Sequence, residues 1–176
     1  VAIGPGDQPQ ARIISASDQQ LREYPLPIGQ GAAWSDWTRY IEGVWQLGSC
    51  VQDKRNEGFE LAVCSSLPVG AGLSSSAALC VAALLALERL SGDGLEQSPN
   101  LESMLRRASL CQQVEHQYAS VRCGLMDQLA SLACRSDHLL AVDFRGPELN
   151  QIPWPDQELA CLLVHTGVQH QLATSE

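Results

Sequence analysis

Apolar residues follow two different periods along the chain, one typical of strands and one typical of helices, and segments of the two kinds alternate. Short segments with apolar residues at alternate positions or in brief runs predict strands at residues 11–16, 57–63, 138–144 and 159–165. Longer segments that are apolar every three or four positions, or nearly all round, predict helices at residues 34–47, 77–87, 101–118 and 126–134. Interleaved strands and helices are typical of a two-layer α+β domain in which helices cover one side of a sheet. The pattern does not determine the order of the strands.

A glycine-rich turn stands directly before the most apolar of these helices, in residues 67–78 (LPVGAGLSSSAA). Gly70 and Gly72 lack a Cβ, so the backbone can take positive φ angles and approach a ligand closely. The first turn of the helix presents N–H groups without intrahelical partners and the positive end of the helix dipole, which together favour a phosphate. Three hydroxyls follow the glycines, on Ser74, Ser75 and Ser76. They can bond phosphate oxygens or a metal ion, so the segment predicts a nucleoside triphosphate site.

A tight turn with a serine cap is the alternative for the same residues. The helix that follows is apolar on nearly every face while its amino end is small and polar, and this contrast favours a ligand at that end. The two commonest phosphate loops do not fit. No lysine follows Gly72, as a P-loop requires, and Ser75 stands where a dinucleotide-binding loop has its third glycine.

The composition limits the partners and the compartment. The net charge of −9 over 176 residues argues against a nucleic-acid partner, because phosphate backbones require a basic surface. The seven cysteines contain no C-x-x-C pair, which predicts reduced, buried thiols in a cytoplasmic protein and not a disulfide framework or a zinc site. No apolar run reaches the roughly 20 residues of a membrane span, so no membrane partner is expected. Oligomeric state has no signature in the sequence.

Two acidic residues are candidates for the chemistry of a triphosphate site. Asp127 lies in the segment CGLMDQ at the start of a predicted helix, where a carboxylate can accept or orient the proton of an attacking hydroxyl. Glu115 lies on the preceding helix. Taken alone, each also fits an ordinary helix acid, Asp127 stabilised by the helix dipole and Glu115 by solvent.

The motifs PVGAGLSSSAA and CGLMDQ together resemble the GHMP small-molecule kinases and, more narrowly, the galactokinases. CGLMDQ is the more specific of the two, and both occur in the order that the family has. Weaker similarities extend over nearly the whole chain: Trp37 to Tyr40 (WTRY) with Gly43, residues 138–143 (HLLAVD) and residues 170–176 (HQLATSE).

This resemblance implies both a fold and a reaction. The fold is a mixed sheet related to the second domain of ribosomal protein S5. The reaction transfers the γ-phosphoryl group of MgATP to the C1 hydroxyl of galactose or a related monosaccharide, with Asp127 as the catalytic residue and Ser76 and Glu115 as Mg²⁺ ligands. Gly124 and Asp127 would bind the sugar. The nucleotide-binding positions that match the family are Gly70, Ala71, Gly72, Leu73, Ser74, Ser75, Ser76 and Trp37. Trp37 also fits an ordinary core aromatic.

The chain departs from the family pattern where galactokinases grip the sugar. The segment Arg-x-Asn followed by GEHTDY, which by resemblance supplies an arginine for the transferring phosphoryl group, is absent, as are the third glycine-rich motif and the carboxy-terminal domain. We therefore expect residues 1–176 to be a single, incomplete amino-terminal kinase domain that is inactive by itself.

Three other functions stay open at this point. The chain fits another kinase of the same superfamily, such as a mevalonate or homoserine kinase, although CGLMDQ argues against it. It also fits a non-catalytic regulator that binds galactose and ATP, although the intact serines and Asp127 favour catalysis. The third possibility is a structural domain with a vestigial site.

Overall fold

The computed structural model describes residues 1–27, 34–54, 56–68, 71–92, 99–146, 148–155 and 160–164. The strands in these residues are β1 (Ala2–Pro5), β2 (Gln10–Ser15), β3 (Leu21–Pro25), β4 (Phe59–Val63), β5 (His138–Asp143) and β6 (Glu148–Pro153). The α-helices are α1 (Thr38–Leu47), α2 (Ser75–Leu90), α3 (Leu101–Tyr118) and α4 (Met126–Ala133), and a 3₁₀ helix spans Ser49–Lys54.

The main sheet has the strand order β1-β4-β2-β3 and is mixed. Strands β2 and β4 are parallel, and both outer pairs are antiparallel. Because side chains alternate along a strand, Ile13 and Leu61 face the helices and are at most 2 % exposed. On the opposite face Arg12 bonds the carboxylates of Glu23 and Glu60. The predicted mixed sheet with helices on one side is confirmed.

The helical layer is built around α2, which contacts α1, α3 and α4. Its most buried residues are Ala77, Cys80, Val81, Ala83, Leu84 and Leu87. The core continues to the sheet, where the rings of Trp45 and Phe59 lie 4.7 Å apart between centroids. At Gly43 the first helix approaches α3 closely, since a Cβ there would lie 2.6 Å from Val114 Cγ1. This contact fixes the carboxy-terminal end of α3, which carries Glu115.

Several predicted boundaries were wrong for identifiable reasons. The first helix begins at Thr38 and not at residue 34, because Asp36 has a φ of +53° that interrupts a helix. Strand β3 ends at Pro25, which is tolerated because β3 is an edge strand. Strands β1, β3 and β6 were not predicted. Residues 160–164 form no strand where the structure describes them, and Leu162 is 84 % exposed.

The prediction of buried thiols holds for only part of the set. Cys80 and Cys111 lie inside the helical layer, whereas Cys64, Cys134 and Cys161 are exposed because each lies outside the helices and strands. No helix in the described ranges is long and apolar enough to cross a membrane.

Candidate active site

The glycine-rich turn leads directly into α2 with two residues in the left-handed region. Gly72 has a φ of +73°, and Ser74 has a φ of +53° although it carries a side chain. A Cβ on Gly72 would meet nothing within 4 Å, so the backbone angle and not the space favours glycine there. A serine held at positive φ is a costly conformation that is typical of functional loops. Gly70, which the sequence also assigned to this turn, lies outside the described residues.

The amino end of α2 has no side-chain cap. Ser74 occupies the cap position, but its side chain makes no capping hydrogen bond, and no acidic residue stands in the first turn. The serine cap that was the alternative interpretation of the sequence is therefore not what the structure contains. A helix end with uncapped N–H groups and no competing carboxylate suits an anion.

Ser76, Glu115 and Gln128 form a hydrogen-bonded chain across three helices. The Ser76 hydroxyl on α2 donates to Glu115 Oε2 on α3 at 2.9 Å. The side-chain amide of Gln128 on α4 donates to Glu115 Oε1 at 2.6 Å. The predicted pair of Ser76 and Glu115, 39 residues apart, is thus in direct contact.

Glu115 is buried without a cation. Its residue exposure is 2 %, and burial raises the pKa of its carboxyl group above the ordinary value. Hydrogen bonds from Ser76 and Gln128 oppose that rise, while the negative charge of Asp127 adds to it and His116 acts in the opposite sense. Among the described residues no lysine, arginine or histidine lies within salt-bridge distance of Glu115. The solvated helix acid considered from the sequence is therefore wrong for Glu115.

Asp127 lies in the first turn of α4 and is half-buried. The loop before it is clamped to α3, because Gln112 Nε2 donates to the Cys123 carbonyl at 3.0 Å and the Val121 N–H donates to the Glu115 carbonyl at 3.0 Å. These bonds place Asp127 near enough for its charge to act on Glu115. Gly124, in the same loop, is exposed, with nothing within 4 Å of a Cβ built there.

Ser120, in the loop between α3 and α4, has a φ of +57°. This angle lies in the region that favours glycine, so the serine adopts a strained backbone angle there.

Trp37 is placed differently from the other candidates. It occupies the cap position of α1, the guanidinium of Arg22 lies 5.2 Å from its ring centroid, and the ring packs against the hydrophobic core. These contacts fit the core interpretation, and a nucleotide contact at Trp37 stays a prediction.

Gln128 is the site residue that the sequence did not identify. It is fully buried, and its amide links Glu115 to the Cys123 sulfur at 3.4 Å. The available signal was its polarity directly before buried Leu129, on a short helix that is otherwise largely apolar. Tyr40 also lies near the cluster, since the charge of Glu115 contributes to the raised pKa of its hydroxyl after burial.

The donor set of the cluster suits a hard divalent cation. In the described part of the chain no three histidine, cysteine or acidic side chains gather at one point. Ser76 and Glu115 present a hydroxyl and a carboxylate, which are oxygen ligands. Mg²⁺ takes such oxygens and completes its shell with waters and phosphates, so two protein ligands are enough.

The chain is similar in sequence to known proteins. The family model described as the GHMP kinases N terminal domain matches residues 39–135. Galactokinase from Homo sapiens is 37 % identical over 164 residues, which are 92 % of this chain and 39 % of the relative, and galactokinase from Bos taurus is 36 % identical over the same shares. The chain therefore spans about two fifths of the length of these curated relatives.

Solved structures share the fold. The galactokinase of Lactococcus lactis, crystallised with galactose, superimposes with a TM-score of 0.72 at 22 % identity, covering 86 % of this chain and 38 % of that one. The mevalonate kinase of Methanococcus jannaschii gives a TM-score of 0.58 at 15 % identity, over 73 % of this chain and 39 % of that one. Since the family model matches more than half of the residues and the architecture agrees, the chain belongs to the GHMP kinases and contains their amino-terminal domain.

Proposed function

We propose that this domain serves in the transfer of the γ-phosphoryl group of MgATP to the C1 hydroxyl of galactose, giving galactose 1-phosphate. The observation that carries the proposal is the Ser76–Glu115 contact at the amino end of α2, where Glu115 has no cationic side chain beside it among the described residues and feels the charge of Asp127. Similarity to galactokinases in sequence supports galactose as the acceptor.

The turn before α2 would hold the triphosphate. Within the proposed cradle of residues 70–76, Gly72 and Ser74 have positive φ angles, and the first N–H groups of α2 would point along the helix axis toward a bound phosphate. Hydroxyls of Ser74 and Ser75 would bond phosphate oxygens, and Trp37 is proposed to contact the adenine ring.

Ser76 and Glu115 would hold Mg²⁺. The bound ion would neutralise negative charge on the phosphates as the phosphoryl group moves. Glu115 supplies one full negative charge for it, and Ser76 orients that carboxylate by donating to Oε2.

Asp127 would accept or orient the proton of the sugar hydroxyl. The hydroxyl oxygen forms a bond to the γ-phosphorus, the bond from that phosphorus to the bridging oxygen of ATP breaks, and the proton leaves toward Asp127 while ADP departs. Gly124 would offer its backbone to the sugar. Most of the rate enhancement in such a reaction comes from positioning and electrostatics.

The proposal also carries a cytoplasmic location, the compartment that supplies ATP and keeps thiols reduced.

The test is release of ADP with galactose, mevalonate and homoserine as acceptors, in a protein that contains this domain and binds MgATP. We expect turnover with galactose and a loss of about 10²–10⁴-fold in kcat for Asp127→Asn, because a general base is removed. Asp137→Asn, which changes an acid in the turn before β5, is the matched control and should leave kcat unchanged. Preference for another acceptor would overturn the galactose assignment. ATP binding without ADP release from any acceptor would favour a regulator, and unchanged kcat in Asp127→Asn would contradict the role of Asp127.

A further inference from the structure

The side-chain amide of Gln128 donates hydrogen bonds through its nitrogen, while its oxygen has no partner among the described residues. Gln128 lies on α4 with no exposed surface, and its amide nitrogen donates to Glu115 Oε1 at 2.6 Å and to Cys123 Sγ at 3.4 Å. Its own Oε1 is buried and has no partner in the described part of the chain. The orientation of the amide is determined, because only its nitrogen can donate to a carboxylate.

An unpaired buried acceptor destabilises a fold. Leaving such a group without a hydrogen bond costs about 1–3 kcal/mol, and an apolar side chain of similar size would avoid this. The presence of glutamine at a fully buried position is therefore not explained by stability alone. What the amide provides is a donor aimed at one particular oxygen of Glu115.

Gln151 shows what a glutamine with the same defect does elsewhere. Its Oε1 is also buried without a described partner, and its amide donates to the Ala133 carbonyl at 2.7 Å. That carbonyl is in the last turn of α4, where helix carbonyls lack intrahelical partners, so the bond anchors β6 to the helix end. Gln128, by contrast, bonds a carboxylate that, among the described residues, otherwise receives a side-chain hydrogen bond from Ser76 alone.

The two bonds to Glu115 divide its carboxylate. Oε1 is taken by Gln128 from α4, and Oε2 faces Ser76 at the amino end of α2. A carboxylate with one oxygen held in this way cannot rotate away from the α2 end without breaking the bond to Gln128. We infer that Gln128 is a positioning residue that aims Glu115 Oε2 at the cation of the nucleotide complex. This inference rests on the proposed function.

The binding of a non-hydrolysable ATP analogue, AMP-PNP, with Mn²⁺ as the probe ion tests it. The Kd of AMP-PNP is measured by titration calorimetry, once with EDTA and once with Mn²⁺. The ratio of these two Kd values is the gain in affinity that the ion provides. For Gln128→Met we expect the gain to fall by about 10-fold or more, the usual effect of removing a partner that orients a metal ligand. The Kd in EDTA should stay as in the unsubstituted chain, because the Gln128 side chain has no exposed surface with which to contact a nucleotide.

Two further variants complete the test. Gln151→Met removes the same chemical groups from the other glutamine and should leave the gain unchanged. Gln128→Asn keeps an amide but shortens its reach by one methylene, and it should lose the gain as Gln128→Met does, even if the methionine variant fails to fold.

Each result supports or overturns the inference. Loss of the gain in both Gln128 variants, with retention in Gln151→Met, supports it. Equal weakening of both Kd values would show a merely structural role and overturn it. A gain lost in Glu115→Gln but kept in the Gln128 variants would overturn this inference alone, whereas no Mn²⁺-dependent gain in the unsubstituted chain would overturn the proposed function as well.

Discussion

The interface between α2 and α3 is bridged at both ends by a carboxylate, Glu115 fully buried and Glu88 largely buried, and the two ends are built differently. At one end Glu88 on α2 meets Arg107 on α3, with nitrogen–oxygen distances of 2.9 to 3.2 Å and side-chain exposures of 12 % and 8 %. At the other end Glu115 on α3 receives hydrogen bonds from Ser76 and Gln128, and it has no cationic partner among the described residues. The first carboxylate is neutralised by the protein, and the second is not.

This difference separates a structural contact from a candidate functional one. A buried charge without a partner is unfavourable, and natural sequences usually keep one only where something else uses it. Since the uncompensated end coincides with the uncapped amino end of α2, a cation bound with an anionic nucleotide would satisfy both. The comparison can be broken at either end.

Removing Arg107, the cation that pairs with Glu88, should give the largest effect on stability. Arg107→Met leaves Glu88 largely buried and without its cation, so we expect the free energy of unfolding at pH 7 to fall by about 3–5 kcal/mol, as measured by urea denaturation. The double variant Glu88→Leu with Arg107→Met should recover most of this loss. A loss below about 1 kcal/mol, the scale of an exposed ion pair, would contradict the description of this end.

Neutralising Glu115, the carboxylate without a cationic partner among the described residues, should raise stability instead of lowering it. In Glu115→Gln the buried charge disappears, the Ser76 hydroxyl keeps an acceptor, and the Gln128 amide can turn its unpaired Oε1 toward the new amide nitrogen. We therefore expect metal-free protein to gain stability on the order of 1 kcal/mol. Thermal unfolding in EDTA measures this as a raised Tm. Glu88→Gln is the matched control and should lower Tm, because it weakens the pairing of Arg107. A lower Tm in both variants would remove the distinction between the two ends.

A substitution at Gly43 perturbs the end of the α2–α3 interface that carries Glu115, because Gly43 contacts α3 on either side of that residue. A Cβ at this position would lie 2.6 Å from Val114 and 2.8 Å from the ring of Tyr118, on the turns of α3 that flank Glu115. For Gly43→Ala the overpacking, about 1–3 kcal/mol, should exceed the roughly 1 kcal/mol that alanine gains over glycine in a helix. Urea denaturation should show a net loss of stability. Gly124→Ala, where the added Cβ meets nothing within 4 Å, is the control and should leave stability nearly unchanged.

Glu42, on α1, provides a third carboxylate for the comparison. It is 5 % exposed and accepts a hydrogen bond from the Trp34 N–H at 2.8 Å, and burial raises its pKa. Between the ordinary pKa and the raised one the folded state binds more protons than the unfolded state, so its contribution to stability falls as pH rises through that window. The advantage of Glu42→Gln over the unsubstituted chain should therefore grow with pH and then level off.

Urea denaturation at a series of pH values checks this smallest effect. An advantage that shrinks with rising pH would contradict the burial argument. Glu42→Gln should bind nucleotide with the same affinity as the unsubstituted chain, because a buried carboxylate by itself does not make a cation site.

The sequence predicted most where the signal is local. Helices α3 and α4 were predicted to within one residue of their observed ends, since their apolar period extends over whole turns. Strand β1 was missed because it is defined by pairing with the distant strand β4, and β3 and β6 because Pro25 and Pro153 break the apparent pattern of a strand. The meeting of Ser76 with Glu115 followed from the family motif and not from any period. Gln128 escaped because a polar residue inside a short helix has no pattern that separates burial from exposure.

The Mn²⁺-dependent gain in AMP-PNP affinity, compared between Glu115→Gln and Glu88→Gln, tests the central claim most directly. If the uncompensated carboxylate is the cation ligand of a phosphoryl-transfer site, the gain disappears in Glu115→Gln and persists in Glu88→Gln. A gain that survives in Glu115→Gln, or that falls equally in both variants, would contradict the assignment of this end of the α2–α3 interface as the site.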